Sequence, residues 1–274
     1  LLNISKKNII SNIIIAIPSM SHEKLVNLYT RLFPITLNIS SLPHKQNLLL
    51  KDQVIIDDLK DLDLGDIIKR KIFDIKNRSI KKFSNQSVLV TGGAGSIGSE
   101  ISFQILRSNP KRLLIVDNSE YSLFKIKQKL GLRKNVQYIL LDINYQSQLE
   151  KMIRDNKINY IFHAAAYKHV NFLEENLISA VRNNILATLS LLKSIKNTNI
   201  NLTVISTDKA VEPKTILGMT KRAAEIISLS MSSLADYKNS KISVVRFGNV
   251  FGSAGSAIEI FKNQIKKDLP VTIT

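Results

Sequence analysis

The 274 residues contain no cysteine. Disulfides, thiolate metal sites and cysteine nucleophiles are thereby excluded, a reducing compartment fits, and no metal site is expected. Long apolar runs are missing too. The nearest approach, Ile13-Ile14-Ile15-Ala16-Ile17, has the length of a strand and falls short of the roughly 18 residues that span a bilayer. No secretory signal is visible. Acidic residues are few, 22 against 39 lysines and arginines, for a formal net charge of +17. Such a balance is one footprint of nucleic-acid binding. Here the lysines are dispersed and no segment interleaves them with aromatics, so no nucleic-acid partner is expected. A low-GC genome, which favours Lys, Asn and Ile codons, accounts for the excess. Attraction to an anionic membrane surface or to a phosphorylated substrate is the other reading.

What is present is apolar material for a core, 44% of the chain, in one large domain or two smaller ones. There is no internal repeat and no low-complexity tract. Residues 8–57 read as an incomplete α/β unit. It has a strand from Asn12 to Ile17 ended by Pro18, a helix from His22 to about Leu32 capped by Ser21, and a further short strand from Val54 to Ile56. Residues 1–57 are expected to be the tail of a preceding α/β domain, and 58–85 a charged linker with short helical pieces. Residues 86–274 are expected to be a dinucleotide-binding domain. The chain opens on Leu1 and closes on the strand-like run Val271-Thr272-Ile273-Thr274, so it is expected to continue beyond both.

From Ser87 the rhythm changes. Aliphatic runs recur at Val88–Val90, Leu113–Val116, Tyr138–Leu140, Tyr160–Phe162, Leu202–Ile205 and Ile242–Val245, separated by helical patterns such as Ile185 to Lys196 and Lys221 to Leu234. Continuous apolar strands alternating with helices predict an α/β fold, a Rossmann-type doubly wound parallel sheet covered on both faces.

Thr91-Gly92-Gly93-Ala94-Gly95-Ser96-Ile97-Gly98 follows the first of these strands directly. Glycines at 92, 95 and 98 have the spacing GxxGxxG. Gly92 allows the tight turn, Gly95 lets the backbone approach a pyrophosphate, and Gly98 permits close helix–strand packing. A helix opening near Ser96 aims N–H groups and its positive dipole end at the phosphates. Thr91, Gly92, Gly95, Ser96, Ile97 and Gly98 are therefore expected to form the cofactor-binding loop, in the strand–loop–helix context that the motif requires. Asp117 ends the second strand, where a carboxylate accepts from the adenosine ribose hydroxyls and would repel a 2′-phosphate, favouring NAD over NADP; a helix N-cap is the plain alternative. Asp142, ending the third strand, contacts the adenine or simply caps the strand end.

The GxxGxxG spacing resembles the extended short-chain dehydrogenase/reductase superfamily. Four further segments narrow the resemblance: Leu114–Glu120, Phe162-His163-Ala164-Ala165-Ala166-Tyr167-Lys168-His169-Val170, Ile205-Ser206-Thr207-Asp208-Lys209-Ala210-Val211 and Val245–Ser253. Together they are similar to the bacterial polysaccharide-biosynthesis family of UDP-N-acetylglucosamine 4,6-dehydratases. The likeness is close over 87–274 and looser back to residue 8, as in the long, membrane-anchored members. It implies an NAD(P)-dependent lyase acting on a UDP-sugar for surface polysaccharide, and a homo-oligomer. It also implies that the whole protein sits at the cytoplasmic face of the bacterial inner membrane through segments outside this sequence.

By the same resemblance Thr207 polarises the sugar C4 oxygen, Asp208 is the acid toward the C6 hydroxyl, and Lys209 is the C5 base, which requires burial or a neighbouring charge to lower its pKa. Lys221 holds the nicotinamide ribose. A Tyr four residues earlier is the superfamily's usual acid/base, and Met stands there in the long relatives; this chain has Leu217. Ala164, Ala165 and Ala166 are expected along the cofactor. Tyr167 and Lys168 line the sugar site, and His169 lines it or is a structural histidine. Asn184 matches the helix-bulge asparagine, with a plain polar face as the alternative, and is counted with the substrate contacts. Asn249 contacts substrate phosphate or sugar, and Arg246 is open to a structural ion pair. A C4 epimerase or reductase would keep the Tyr and would not need Asp208-Lys209. An inactive NAD-binding regulatory module is the reading outside enzymology.

Overall fold

A computed structural model describes residues 10–17, 20, 22–32, 35, 39–41, 60–61, 81–250, 253, 261, 264 and 269–270. These fall into two compact units, the larger of which holds 81–250. In the smaller, strand β1 (Ile13–Ile15) pairs parallel with β2 (Ile39–Ser41), which pairs antiparallel with β3 (Lys60–Asp61). Helix α1 (His22–Leu32) carries Leu25, Leu28, Tyr29 and Leu32 at helical spacing, and these pack with Ile15 and Ile39. The helix has its expected bounds, and the strand is shorter than Asn12–Ile17. Lys60–Asp61 lies in the stretch expected to be linker, and Val54–Ile56 lies outside the described residues.

The larger unit is a six-stranded sheet in the order β6-β5-β4-β7-β8-β9, every pairing parallel. Its strands are β4 (Ser87–Thr91), β5 (Arg112–Asp117), β6 (Val136–Leu140), β7 (Tyr160–His163), β8 (Asn201–Thr207) and β9 (Ile242–Phe247). Each of the six aliphatic runs became a strand. Alternation along them decides which face each side chain fills. Val88, Val90, Leu113 and Ile115 meet helices α2 (Ser96–Leu106) and α3 (Glu120–Leu130) through Ile105, Leu123, Ile126 and Leu130. Leu89, Leu114, Leu202 and Val204 meet α4 (Gln146–Asp155) and α7 (Ala187–Ser194) through Leu149, Ile153, Leu191 and Leu192. Truncating any of these buried leucines to Ala should cost about 2–5 kcal/mol.

Two helical expectations shifted. The pattern Ile185–Lys196 begins as a π-helix, Val181–Leu186, that follows the short helices α5 (Val170–Glu175) and α6 (Leu177–Ala180) and runs into α7. Single π turns of this kind cluster at functional sites. Helix α8 spans Ile216–Ser232 and opens before Lys221, because the Thr215 hydroxyl accepts from Gly218 N and caps it there. The chain leaves β4 toward β5 and β6, then crosses to β7, β8 and β9. The crevice at the carboxyl ends of β4 and β7 is thus the switch point where doubly wound sheets hold their ligands.

Candidate active site

The glycine loop closes the gap between β4 and α2. Gly92 has φ +63°, and a Cβ there would lie 2.5 Å from the Ala165 backbone. A Cβ on Gly98 would run into the Gly92 carbonyl. At Gly95 a Cβ would meet protein only at Gly92 O, 3.3 Å away, so this is the point of the loop that lies open to a ligand. No side chain caps α2, whose first turn is Ser96, Ile97 and Gly98. The loop is pinned from β5: Gly93 N donates to Val116 O, and Ala94 N donates to Asp117 Oδ2 (3.1 Å). Asp117 Oδ1 accepts from Ser119 N (3.0 Å). Gly92, Gly95, Asp117, Asp142, Ala164, Ala165, Ala166 and Tyr167 line one cavity of about 220 Å³. Asn118, within the Leu114–Glu120 segment, lines it as well, as do Ser122 and Asn183, which carried no sequence motif. Asp142 both faces this cavity and caps the turn after β6, accepting from Asn144 N and Nδ2, with Arg182 3.5 Å away.

A buried hydrogen-bond chain runs from this loop toward α8. Thr188 Oγ1 donates to Asn184 O (2.8 Å), so it must accept from His163 Nε2 (3.0 Å), and His163 Nδ1 then accepts from Thr91 Oγ1 (2.7 Å). Burial, with a contribution from Lys221, lowers the His163 pKa to about 3, so the ring is neutral. Asn184, expected among the substrate contacts, is 1% exposed. Its Oδ1 accepts from Tyr167 N (2.8 Å), and its Nδ2 donates to Tyr167 O (3.2 Å) and Thr220 Oγ1 (3.1 Å). Both amide atoms are committed to protein, so Asn184 holds the loop after β7 against α8. Lys168 and His169 follow Tyr167 as exposed residues and do not line the cavity.

On α8, Lys221 is 4% exposed, and its Nζ makes no hydrogen bond among the described residues. Burial lowers its pKa to about 8 against the opposing charge of Glu225. Leu217, one turn earlier, is packed with Leu173 and Ala180 in a small apolar cluster. A Cβ on Gly218 would collide with the Lys209 carbonyl, so α8 rests directly on the turn that follows β8. That turn, Asp208–Ala210, begins where β8 ends at Thr207. Thr207 Oγ1 donates to Asp208 Oδ1 (3.0 Å), and Lys209 Nζ donates to Asp208 Oδ1 and to Asn249 Oδ1, both at 3.3 Å. Four residues expected to do chemistry or bind substrate are thus in mutual contact. Asp208 differs from expectation in one respect: the Thr207 hydroxyl, and after it Lys209, hold its pKa below the ordinary value. It stands here as an ionised acceptor, whereas the acid role requires a proton.

Sequence reasoning missed Glu225, which is 2% exposed. It accepts from Arg246 Nε (2.8 Å) and Nη2 (2.6 Å) and from Arg222 Nη1 (3.1 Å). Burial pushes its pKa up, but Arg246 foremost among its partners overrides this and brings it down to about 2. Arg246 is therefore a structural ion pair. The (i, i+4) spacing of Glu225 from Lys221 was the one available signal. Among the described residues no cluster of His, Asp or Glu is arranged to hold a metal ion, and no helix is long and apolar enough to cross a membrane.

The chain is 35% identical to the capsular polysaccharide biosynthesis protein CapD of Staphylococcus aureus, over 98% of this chain and 45% of that one. It is 30% identical to an inverting UDP-N-acetylglucosamine 4,6-dehydratase of Campylobacter jejuni, over 70% of this chain and 58% of that one. It is 32% identical to a UDP-glucose 4-epimerase of Rickettsia canadensis, over 70% and 57%. Among solved structures, Pen from Bacillus thuringiensis superimposes with a TM-score of 0.64 at 34% identity, covering 68% of this chain and 57% of that one. The chain spans about half the length of the relatives it matches. Residues 88–274 match the family model described as polysaccharide biosynthesis protein, and to that family the chain belongs.

Proposed function

We propose that this chain carries the cofactor site and the reacting residues of an NAD-dependent nucleoside-diphosphate-sugar 4,6-dehydratase, acting on UDP-N-acetylglucosamine in the making of a surface polysaccharide. The observation that carries the reading is the contact of Thr207, Asp208, Lys209 and Asn249 at the carboxyl ends of β8 and β9, beside the helix that bears Lys221. The glycine loop, the Asp117 carboxylate and a buried ammonium without a protein acceptor fit a dinucleotide. Such a cofactor supplies hydride acceptance at C4 and its return at C6. The protein's own residues manage the protons. Asp208, ionised at rest and with no phenol available at Leu217, takes the C4 hydroxyl proton. Lys209, in its neutral amine form, draws the C5 proton once the ketone has acidified it. Asp208 then gives its proton to the departing C6 hydroxyl, which leaves as water, and Lys209 returns a proton to C5. Thr207 donates toward the C4 oxygen, and Asn249 orients Lys209.

The epimerase relative supports a second reading, inversion at C4. It is weakened by Leu217, which offers no proton, and it leaves Asp208 and Lys209 without a task. Incubating the intact protein with UDP-N-acetylglucosamine and weighing the product decides: loss of one water is expected, and a product of unchanged mass would leave epimerisation or inactivity. A place at the cytoplasmic face of a membrane belongs to the same proposal and is tested by fractionating the whole protein.

A further inference from the structure

We propose that Glu225 is a positioning residue of this site: its buried carboxylate ties the helix carrying Lys221 to the strand leading to Asn249, and it supplies the negative charge against which Lys221 remains an ammonium ion. Arg246, which grips Glu225 through two nitrogens, lies opposite Ser206 in the register of β8 and β9, one rung before Thr207 meets Phe247. The clamp therefore closes on the next-to-last rung before the reacting turn. On the other side of Lys221, Gly218 rests on the Lys209 carbonyl. The one turn of α8 that bears Lys221 is thus fixed to the reacting segment both before and after the lysine. A bidentate guanidinium–carboxylate pair is the strongest such fixture available to side chains.

The electrostatic half of the argument starts from Leu217. A phenol at that position would give the lysine a polar partner one turn toward the helix N-terminus, whereas Leu217 is sealed among Leu173 and Ala180. The groups that bear on Lys221 are then few. His163 on β7 is neutral and supplies no charge to offset that of Lys221. Arg222 and Arg246 are bound to Glu225. Asp208 and Lys209, on the turn beneath α8, are engaged with each other. Glu225 is what remains to favour the charged lysine, and its carboxylate is the opposing charge that offsets burial at Lys221. Without it, burial alone would take the proton off near neutral pH.

The test uses the intact protein with ¹³C-labelled lysine, the Lys221 resonance being identified by its loss in Lys221→Arg. In Glu225→Gln the Lys221 titration midpoint should fall by about one pH unit, as expected for removing a unit charge a helical turn away in a partly buried site. Glu225→Asp, which keeps the charge, should leave it within a few tenths of a unit. The Glu225→Gln, Arg246→Gln double variant removes both members of the ion pair, so that Arg246 is not left without its carboxylate, and serves where the single variant does not fold; its midpoint should fall as well. An unmoved midpoint in a folded Gln variant overturns the proposal. A purely structural ion pair would lower the melting temperature without moving that titration. The consequence for NAD affinity rests on the function proposed above: the alkaline limb of NAD binding, measured by calorimetry, should move down with the midpoint. A wild-type protein that binds no NAD would count against that function, while the lysine titration would still decide the role of Glu225.

Discussion

The two lysines of this site stand in opposite surroundings. Lys221 is buried on a helix, with no hydrogen-bond acceptor among the described residues. Lys209 has 41% of its side chain exposed and donates to two acceptors. The region around Lys221 is organised by buried bonds, the Thr91–His163–Thr188 chain and the Asn184 amide, together with the part-buried Glu225–Arg246 clamp. The region around Lys209 is organised by a turn whose exposed ion pair is worth about 0–1 kcal/mol. On the proposed function, the cofactor half is set by folding. The reacting half would gain its strength when substrate excludes water, since the same charges interact far more strongly once desolvated.

Gly98→Ala is the severest test of that contrast. The new methyl would meet the Gly92 carbonyl and the Gly93 backbone, none of which is a flexible side chain. A loss of about 3 kcal/mol in urea denaturation, with NAD binding abolished in calorimetry, is expected. Gly95→Ala should be milder for the fold, because its Cβ approaches protein only at 3.3 Å, yet it should still weaken NAD binding. Equal stability of the two variants would show that the loop is not the rigid element described.

The exposed half is probed by Asp208→Asn and Lys209→Ala. Neither should change the melting temperature appreciably, while water loss from the sugar should fall by roughly 10²–10⁴-fold in each. Exchange of the C5 proton with deuterated water separates them. Lys209→Ala should abolish exchange and accumulate reduced cofactor. If Asp208 also takes the C4 proton, Asp208→Asn should abolish exchange and accumulate none. Persistent exchange in Lys209→Ala would remove Lys209 from the role of base.

The same contrast explains what was legible in the sequence. The six strands and the glycine loop were legible because aliphatic runs and glycine spacing are local signals. Thr207, Asp208 and Lys209 were legible because they are consecutive. Glu225 was not, since its partner Arg246 is brought to it only by the pairing of β9 with β8. Asn184 was located as the helix-bulge asparagine, but its bonds to Tyr167 and Thr220 were not legible, because they are made through a π-helix and residues distant in sequence. The start of α8 was placed too late because the Thr215 cap precedes the apolar pattern and resembles any turn threonine.

Acid should unsettle the buried half first. The His163 pKa of about 3 lies below its ordinary 6.5, so the unfolded chain takes up the proton before the folded one. The stability tied to this neutral ring is complete above pH 6.5 and is lost progressively as pH falls toward 3. At pH 5 the loss from this one group is about 2 kcal/mol. Glu225 adds to it only lower, between its ordinary 4.5 and about 2. Urea denaturation at pH 7, 6 and 5 should show this slope in the wild type and a flatter one in His163→Gln. Parallel slopes would mean that His163 is not the group that titrates.

The smallest effect concerns Asp117, which belongs to both halves of the argument because its carboxylate is at once structure and recognition. Each oxygen already accepts one backbone N–H, from Ala94 and from Ser119, and each retains lone-pair capacity that a ribose hydroxyl can use. A 2′-phosphate brought to the same place would meet a fixed negative charge, so NAD should be preferred over NADP. Asp117→Asn keeps the shape and removes the charge. One of its two atoms becomes an NH₂ facing a backbone N–H, so the loop should loosen by about 1 kcal/mol. NAD affinity should fall by about tenfold, which is the worth of one charge-assisted bond, and NADP affinity should fall less or rise, narrowing the ratio between them. Calorimetry with both cofactors on both proteins reads the ratio, and thermal denaturation reads the loop. If the melting temperature drops while the ratio stays fixed, Asp117 serves the glycine loop alone, and the choice of cofactor is made by other residues of the cavity such as Asn118 or Ser122.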